Sequence, residues 1–198
     1  MEDNYMTIAG ASEGYYSERR SRFISFAFPV QTPEEAKERI DALGKRYHDA
    51  RHLCWAFMLG AGRTQFRVSD DGEPSSTAGK PILGAINTHN LTNILVAVVR
   101  YFGGVKLGPS GLITAYRAAA IDAIEKAEIV LRTVDEEFTV TLEYSSLDTV
   151  MKIVKEENPR ILSRVLEAEC RFRIGIRRSR AQELKDRLLR VRTVKIFP

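Results

Sequence analysis

Cysteine and histidine are scarce in this chain: two cysteines (Cys54 and Cys170) and three histidines (His48, His52 and His89) among 198 residues. The cysteines stand far apart and form no C-x-x-C, which argues against a zinc knuckle or a disulfide scaffold and fits a reducing cytoplasm. His48 and His52 stand four apart, but a helix-to-strand transition falls between them and no third ligand is near. We therefore read a surface His48 and a core-edge His52, and expect no metal and no cofactor. Cys54 follows His52 by two residues, yet Leu53, Trp55, Ala56 and Phe57 around it suggest an inert buried thiol. A G-x-S-x-G elbow is also missing, so no catalytic residue is assigned. No apolar run approaches the roughly 18 residues that span a bilayer, and the first residues carry neither a basic n-region nor an apolar h-region. The expectation is a cytoplasmic protein with no membrane partner.

What is present is the composition of a globular protein, 44% hydrophobic and 28% charged, with a net charge of +4. Through Val130 there are fifteen basic and fifteen acidic residues; from Leu131 onward there are fifteen basic and eleven acidic, so the whole excess lies in the last third. Between Arg171 and Lys195 ten basic residues face only Glu183 and Asp186. The stripe Arg171, Arg173, Arg177, Arg178, Arg180, Arg187 and Arg190 reads either as a polyanion contact or as a solvated helix and strand face.

Periodicity orders the chain. Residues 1–16 read as a polar segment lying loosely over the body. A strand follows over Arg22–Phe28, then a capping box at Thr32-Pro33-Glu34-Glu35 opening a helix whose inner face is Ala36, Ile40, Leu43 and Tyr47. His52–Leu59 and Thr64–Val68 form a hairpin around Gly60-Ala61-Gly62. A short helix runs over Ile82–Asn87, ending near Asn90, a buried strand over Ile94–Phe102, and a long helix from Gly111 with Leu112, Ile113, Tyr116, Ala119, Ala120, Ala123, Ile124 and Ala127 inward. Arg132–Glu137 is a polar break and reads as a linker. Beyond it the order βαββαβ is that of the ferredoxin-like fold.

Two loops carry the possible chemistry. Around Arg100 to Gly111, four glycines separate a strand from a helix, with Arg100 and Lys106 beside them. This is either a tight turn or an anion cradle at a helix N-terminus. It is neither a Walker loop nor G-x-G-x-x-G. The other loop, Asp70 to Pro81, gathers Asp70, Asp71 and Glu73, the hydroxyls of Ser75, Ser76 and Thr77, and Lys80. It reads as turn chemistry, or as a surface for a partner or a divalent cation.

Taken together, Asp-Asp-Gly-Glu-Pro-Ser-x-Thr-Ala-Gly-x-Pro-Ile-Leu (Asp70–Leu83) and Val-Val-Arg-Tyr-Phe-Gly-Gly-x-Lys-Leu-Gly-x-x-Gly-Leu-x-x-Ala-Tyr (Val98–Tyr116) closely resemble the YigZ/IMPACT family. Ser21-Arg22-Phe23-Ile24 and Ala50-Arg51-His52-x-Cys54-x-Ala56 match its earlier motifs. The resemblance implies an α+β protein of two α/β-sandwich domains. Residues 1–132 would be similar to the second domain of ribosomal protein S5, and 136–198 would be ferredoxin-like and similar to domain V of elongation factor G. It also implies a link to translation, because eukaryotic relatives restrain the kinase pathway that shuts down initiation in amino-acid starvation, a stress response. Ser110 and Thr114 depart from the family's usual glycine and arginine, which would weaken an anion site there.

The resulting expectation is a non-enzymatic protein binding RNA or a ribosomal surface. Arg100, Gly103, Gly104, Lys106, Gly108, Gly111, Arg117 and Lys80 are the anion candidates, and Asp70, Asp71, Glu73, Ser75 and Thr77 the partner candidates. The alternatives are a magnesium-dependent enzyme acting on a nucleotide, and a protein-interaction module in stress signalling.

Overall fold

The β-branched run Ile94–Tyr101 is buried at seven of its eight positions and lies at the centre of a sheet covered on both faces. In the computed structural model, which describes residues 3–198, the chain divides into two compact units, Tyr5–Arg132 and Thr133–Pro198 with the first residues. This is a two-domain α+β arrangement.

In the first unit the strands are β1 (Asn4–Ile8), β2 (Ser12–Glu18), β3 (Ser21–Pro29), β4 (His52–Leu59), β5 (Gln65–Ser69), β6 (Ile94–Tyr101) and β7 (Ile129–Thr133). The helices are α1 (Pro33–Arg46), α2 (Gly79–Thr88) and α3 (Gly108–Glu125). The main sheet runs β2-β3-β6-β4-β5, antiparallel throughout, and β1 pairs with β7. Alternation along the strands sorts the core into two layers. Phe23, Ala27, Cys54, Ala56, Val96 and Val98 face α2 and α3, while Phe26, Leu95, Ala97 and Val99 face the side of α1. The capping box opens α1 as expected, with Glu35 N–H donating to Thr32 Oγ1 at 3.2 Å. The Glu35 carboxylate reaches back to Gln31 N–H at 2.7 Å.

In the second unit β8 (Asp135–Glu143), α4 (Leu147–Glu157), β9 (Arg160–Val165), β10 (Glu169–Arg177), α5 (Arg178–Leu189) and β11 (Lys195–Phe197) follow one another. The sheet order β11-β8-β10-β9, antiparallel at each pair, is the ferredoxin-like arrangement. Phe138, Val140, Leu142, Phe172 and Ile174 meet Val150, Val154, Leu184 and Leu188 in its core. No helix among the described residues is long and apolar enough to cross a membrane.

Two expectations fail. The first residues do not lie loosely: apart from 1 and 2, which fall outside the described residues, they form β1 and β2. β2 carries no clean apolar alternation because small and polar groups bind it to α3. Ser12 Oγ donates to Ala123 O at 2.6 Å, Tyr15 N–H donates to Asp122 Oδ2 at 2.7 Å, and a Cβ on Gly14 would stand 2.4 Å from Ala123 N. The linker reading of Arg132–Glu137 fails only in part: the boundary between the two units does fall there, between Arg132 and Thr133, but the stretch is not irregular, since it ends β7 and opens β8. Its charges stand on a sheet and are paired, Asp135 with Arg160 at 3.1 Å and Glu137 with Arg173 at 2.9 Å. A polar strand of this kind has no periodic apolar signal. Smaller shifts are that α2 opens at Gly79 rather than Ile82, and α3 at Gly108 rather than Gly111.

Candidate anion-binding cleft

A cleft of about 1430 Å³ opens on the first unit. Its wall brings together the turn between β2 and β3 (Arg20, Arg22), the approach to β4 (Asp49 to His52), the acidic loop (Asp71, Glu73), the end of β6 (Arg100 to Phe102) and the start of α3 (Lys106 to Pro109). The wall is thus drawn from four stretches far apart in the chain (20–22, 49–52, 71–74 and 100–109), and the antiparallel sheet order juxtaposes them.

At the base lies a buried polar network. Glu73 Oε1 accepts from Arg100 Nη1 at 2.5 Å and from the Tyr116 hydroxyl at 2.8 Å. Arg100 is 5% exposed and Glu73 9%. Desolvating two charges is costly, and the pair persists because its geometry and the added hydroxyl compensate. His52 Nε2 stands 3.8 Å from the same carboxylate oxygen, while its Nδ1 donates to Asp71 O at 2.6 Å. Cys54 Sγ lies 3.0 Å from Asp70 O and 3.4 Å from the Tyr116 hydroxyl. Burial, and then the nearby carboxylates, push the Cys54 thiol up against the lowering effect of Tyr116; burial first, then Cys54 and Glu73, push the Tyr116 hydroxyl up. Both stay protonated at neutral pH, so the thiol is no nucleophile.

The acidic loop is built by its own carboxylates. Asp70 Oδ1 accepts from Ala78 N–H at 3.0 Å and Gly79 N–H at 2.8 Å, and Oδ2 accepts from Ser76 N–H at 2.8 Å. Asp70 thereby closes the loop and caps α2, satisfying donors that a helix N-terminus leaves open. Gly79 is required there, since a Cβ would meet Ser69 N at 2.9 Å. Asp71 Oδ2 takes Leu53 N–H at 2.6 Å, and the buried Thr77 Oγ1 donates to Pro74 O at 2.6 Å. Ser75 is exposed and Lys80 projects from the first turn of α2.

Burial alone would raise the Asp70 carboxyl, but the bonds from Gly79, Ser76 and Ala78 together hold it below the usual carboxylate range. A depressed folded value contributes stability above the unfolded value near 3.9 that is lost as pH falls through the folded one. Asp70→Asn is therefore expected to cost roughly 1–2 kcal/mol at pH 7. Urea midpoints at pH 7 and pH 3 check this. The gap from the parent should shrink at low pH, and an unchanged gap would show that Asp70 does not titrate as described.

Of the eight anion candidates, Arg100, Lys106 and Gly108 line the cleft. Arg100 is already engaged by Glu73. Gly103 N–H is spent on Ser21 Oγ at 3.2 Å, and Arg117 reaches Thr88 Oγ1 at 3.2 Å along the surface of α3. Gly104 has φ +85°, which explains glycine there by turn geometry. Ser110, Gly111 and Thr114 line a separate depression of about 310 Å³ with Tyr16, Glu18 and Arg19, so the two departures from the family pattern stand outside the cleft lining. The cations missed by loop reasoning are Arg20, Arg22 and Arg51. The last two stand inside the family motifs quoted above, which was the available signal.

The C-terminal stripe is not one cationic face. Arg171, Arg173 and Arg177 belong to β10, whereas Arg178, Arg180 and Arg187 belong to α5, which packs against the sheet's other side, and Arg190 ends that helix. Arg180 and Arg187 both bind Glu157, and Arg187 also binds Glu156. The Glu157 carboxyl is held low by Arg187 first and then by Arg180, in spite of burial.

A two-domain α+β protein with a ferredoxin-like second unit and a cation-lined cleft on the first is the class that this architecture defines. Residues 19–124 match the Impact N-terminal domain, and the chain belongs to the IMPACT family. It is 33% identical over 160 residues to an IMPACT family member of Haemophilus influenzae (80% of this chain, 78% of the other). It is 31% identical over 172 residues to the IMPACT family member YigZ of Escherichia coli (86% and 84%). Among solved structures, one described as a hypothetical protein matches with a TM-score of 0.76 at 27% identity, covering 100% of this chain and 98% of that one. The two-domain translational regulator Yih1 matches 60% of this chain and 48% of its own, at 24% identity and a TM-score of 0.41.

Proposed function

We propose that this protein acts in translation or its regulation as a non-enzymatic binding protein that contacts RNA or a ribosomal surface through the cleft of its first unit. The observation that carries the reading is the charge state of that cleft. The cleft wall carries Arg20, Arg22, Arg51, Arg100 and Lys106 against Asp49, Asp71 and Glu73, a cationic excess, and the Glu73 charge is offset by its ion pair with Arg100. Arg20, Arg22, Arg51 and Lys106 have no carboxylate within ion-pair distance among the described residues. Membership of the IMPACT family supports the link to translation that the motifs imply. A nucleotide enzyme reading loses its support, because Asp70, Asp71 and Glu73 are used in building the loop and the network.

Phosphate contacts release counterions, so affinity should fall by roughly 0.7 log unit per log unit of salt for each single-strand contact. Sedimentation with ribosomes in low and high salt tests the reading. The expected result is pelleting at low salt that is lost at high salt and weakened by Arg22→Glu with Arg51→Glu. Failure to pellet at low salt, or pelleting indifferent to both, overturns it.

A further inference from the structure

We infer that the cleft recognises a terminal phosphate, the phosphomonoester end of a nucleotide or of a single-stranded RNA, in preference to an internal phosphodiester. The inference rests on the reading of the cleft as an anion site and goes further by naming the group.

Four observations converge. First, Arg20 and Arg22, Arg51, and Lys106 approach from three separate segments around one concavity, rather than in a row as a backbone-tracking groove would need. Second, α3, eighteen residues long, opens on the same wall at Leu107, Gly108 and Pro109 with no side-chain cap. Pro109 has no N–H and Ser110 and Gly111 line the separate depression, so what this helix start brings to the wall is the Gly108 N–H and the positive end of the dipole. Third, Arg100, which also lines the wall, is 5% exposed and its Nε has no hydrogen-bond partner. One of its donors holds Glu73 while this one is unsatisfied among the described residues, so the base of the cleft keeps a cation with spare hydrogen-bonding capacity. Fourth, Tyr101 and Phe102 stand at the edge, Phe102 49% exposed, and offer ring surface beside the charges.

A phosphomonoester carries a charge of about −1.5 to −2 near neutral pH and three terminal oxygens. That matches donors converging from several sides, whereas a diester offers one charge and two free oxygens. The cleft is also far larger than one phosphate, which leaves room for the attached nucleoside against Tyr101 and Phe102.

The test is calorimetric titration of the full chain with a five-nucleotide single-stranded RNA in 5′-phosphorylated and 5′-hydroxyl forms, with adenosine monophosphate and adenosine as further arms. The expected result is a preference of roughly tenfold or more for the phosphorylated RNA, and binding of the monophosphate but not of adenosine. The preference should vanish in Arg22→Gln with Arg51→Gln, two exposed positions, with the melting temperature measured alongside and expected to stay close to the parent's although Arg22 lies over the Tyr101 ring. Comparable affinity of the two RNA forms overturns the inference, as does a preference that survives the double substitution. A monophosphate that binds as tightly as the RNA identifies a free nucleotide as the ligand, and tenfold tighter RNA identifies the RNA end; either upholds it. Ribosome pelleting with no 5′ preference sinks this inference alone, whereas a 5′ preference with no pelleting sinks the ribosome reading and upholds the pocket.

Discussion

Glu73→Ala is expected to destabilise the first unit by about 3–5 kcal/mol, because it strands a cation in the interior. Arg100 is 5% exposed, with its guanidinium carbon 5.6 Å from the centroids of both Phe23 and Phe102. It cannot swing into water without disturbing that packing. Tyr116 loses its acceptor in the same step, since its hydroxyl donates to the same carboxylate oxygen. The melting temperature should fall by on the order of 10 °C for a unit of this size. A second substitution separates the stranded charge from simple loss of contacts. Adding Arg100→Met to Glu73→Ala should recover most of the loss, as replacing a whole buried pair is often close to neutral. Urea denaturation of the parent, the single and the double variants checks both statements. A single variant within 1 kcal/mol of the parent would mean that the pair is solvated and that the network does not hold the loop.

Gly103→Ala is the second large effect. A Cβ at this position would stand 2.1 Å from the carbonyl carbon of Arg20, 2.3 Å from Ser21 N and 2.4 Å from Arg20 O. All three are backbone atoms of the turn between β2 and β3, where Arg19 (φ +45°) and Arg20 (φ +68°) already occupy the left-handed region, so no side chain can rotate away to make room. The glycine-rich loop must lift off the turn and break the bond from Gly103 N–H to Ser21 Oγ. The expected cost is about 3 kcal/mol. Gly104→Ala is the control, with nothing within 4 Å of its Cβ but a φ of +85°. It should cost only about 1–2 kcal/mol, from backbone strain. Thermal unfolding of the two variants ranks them, and the reverse order would show that the loop is held by turn geometry and not by its seat on the turn. Because Arg20 and Lys106 flank this contact, Gly103→Ala should also lower the anion affinity of the cleft.

These glycines show how unevenly the site could be read from sequence. Four glycines between a strand and a helix suggest either a cradle or a turn, and neither reading foresees that Gly103 is the seat of one loop upon another. Arg100 reads naturally as a phosphate ligand, yet it first answers to Glu73 of the other loop. Asp70, grouped by composition with Asp71 and Glu73 as a possible partner surface, is the cap of α2. A carboxylate's role depends on which N–H groups stand within 3 Å, and its neighbours in the chain do not specify them.

Local chemistry determined much else. The continuous apolar run Ile94–Val99 could only be a doubly covered strand, His52–Leu59 its buried neighbour, and Thr32 to Glu35 a helix start. The alternation after Phe138 produced the ferredoxin-like order, because burial periodicity is a property of consecutive residues. Tertiary structure alone decided which cations remain free. Arg180 and Arg187 of the basic stripe are paired with Glu156 and Glu157 across the helix pair, whereas Arg20, Arg22 and Arg51, which charge counting along the chain does not single out, line the cleft without ion-pair partners among the described residues. The physical reason is that charge adds along the chain without regard to distance, while Coulomb energy and hydrogen bonding depend on distance and burial, which are set when the β2-β3-β6-β4-β5 sheet brings four remote stretches to one wall.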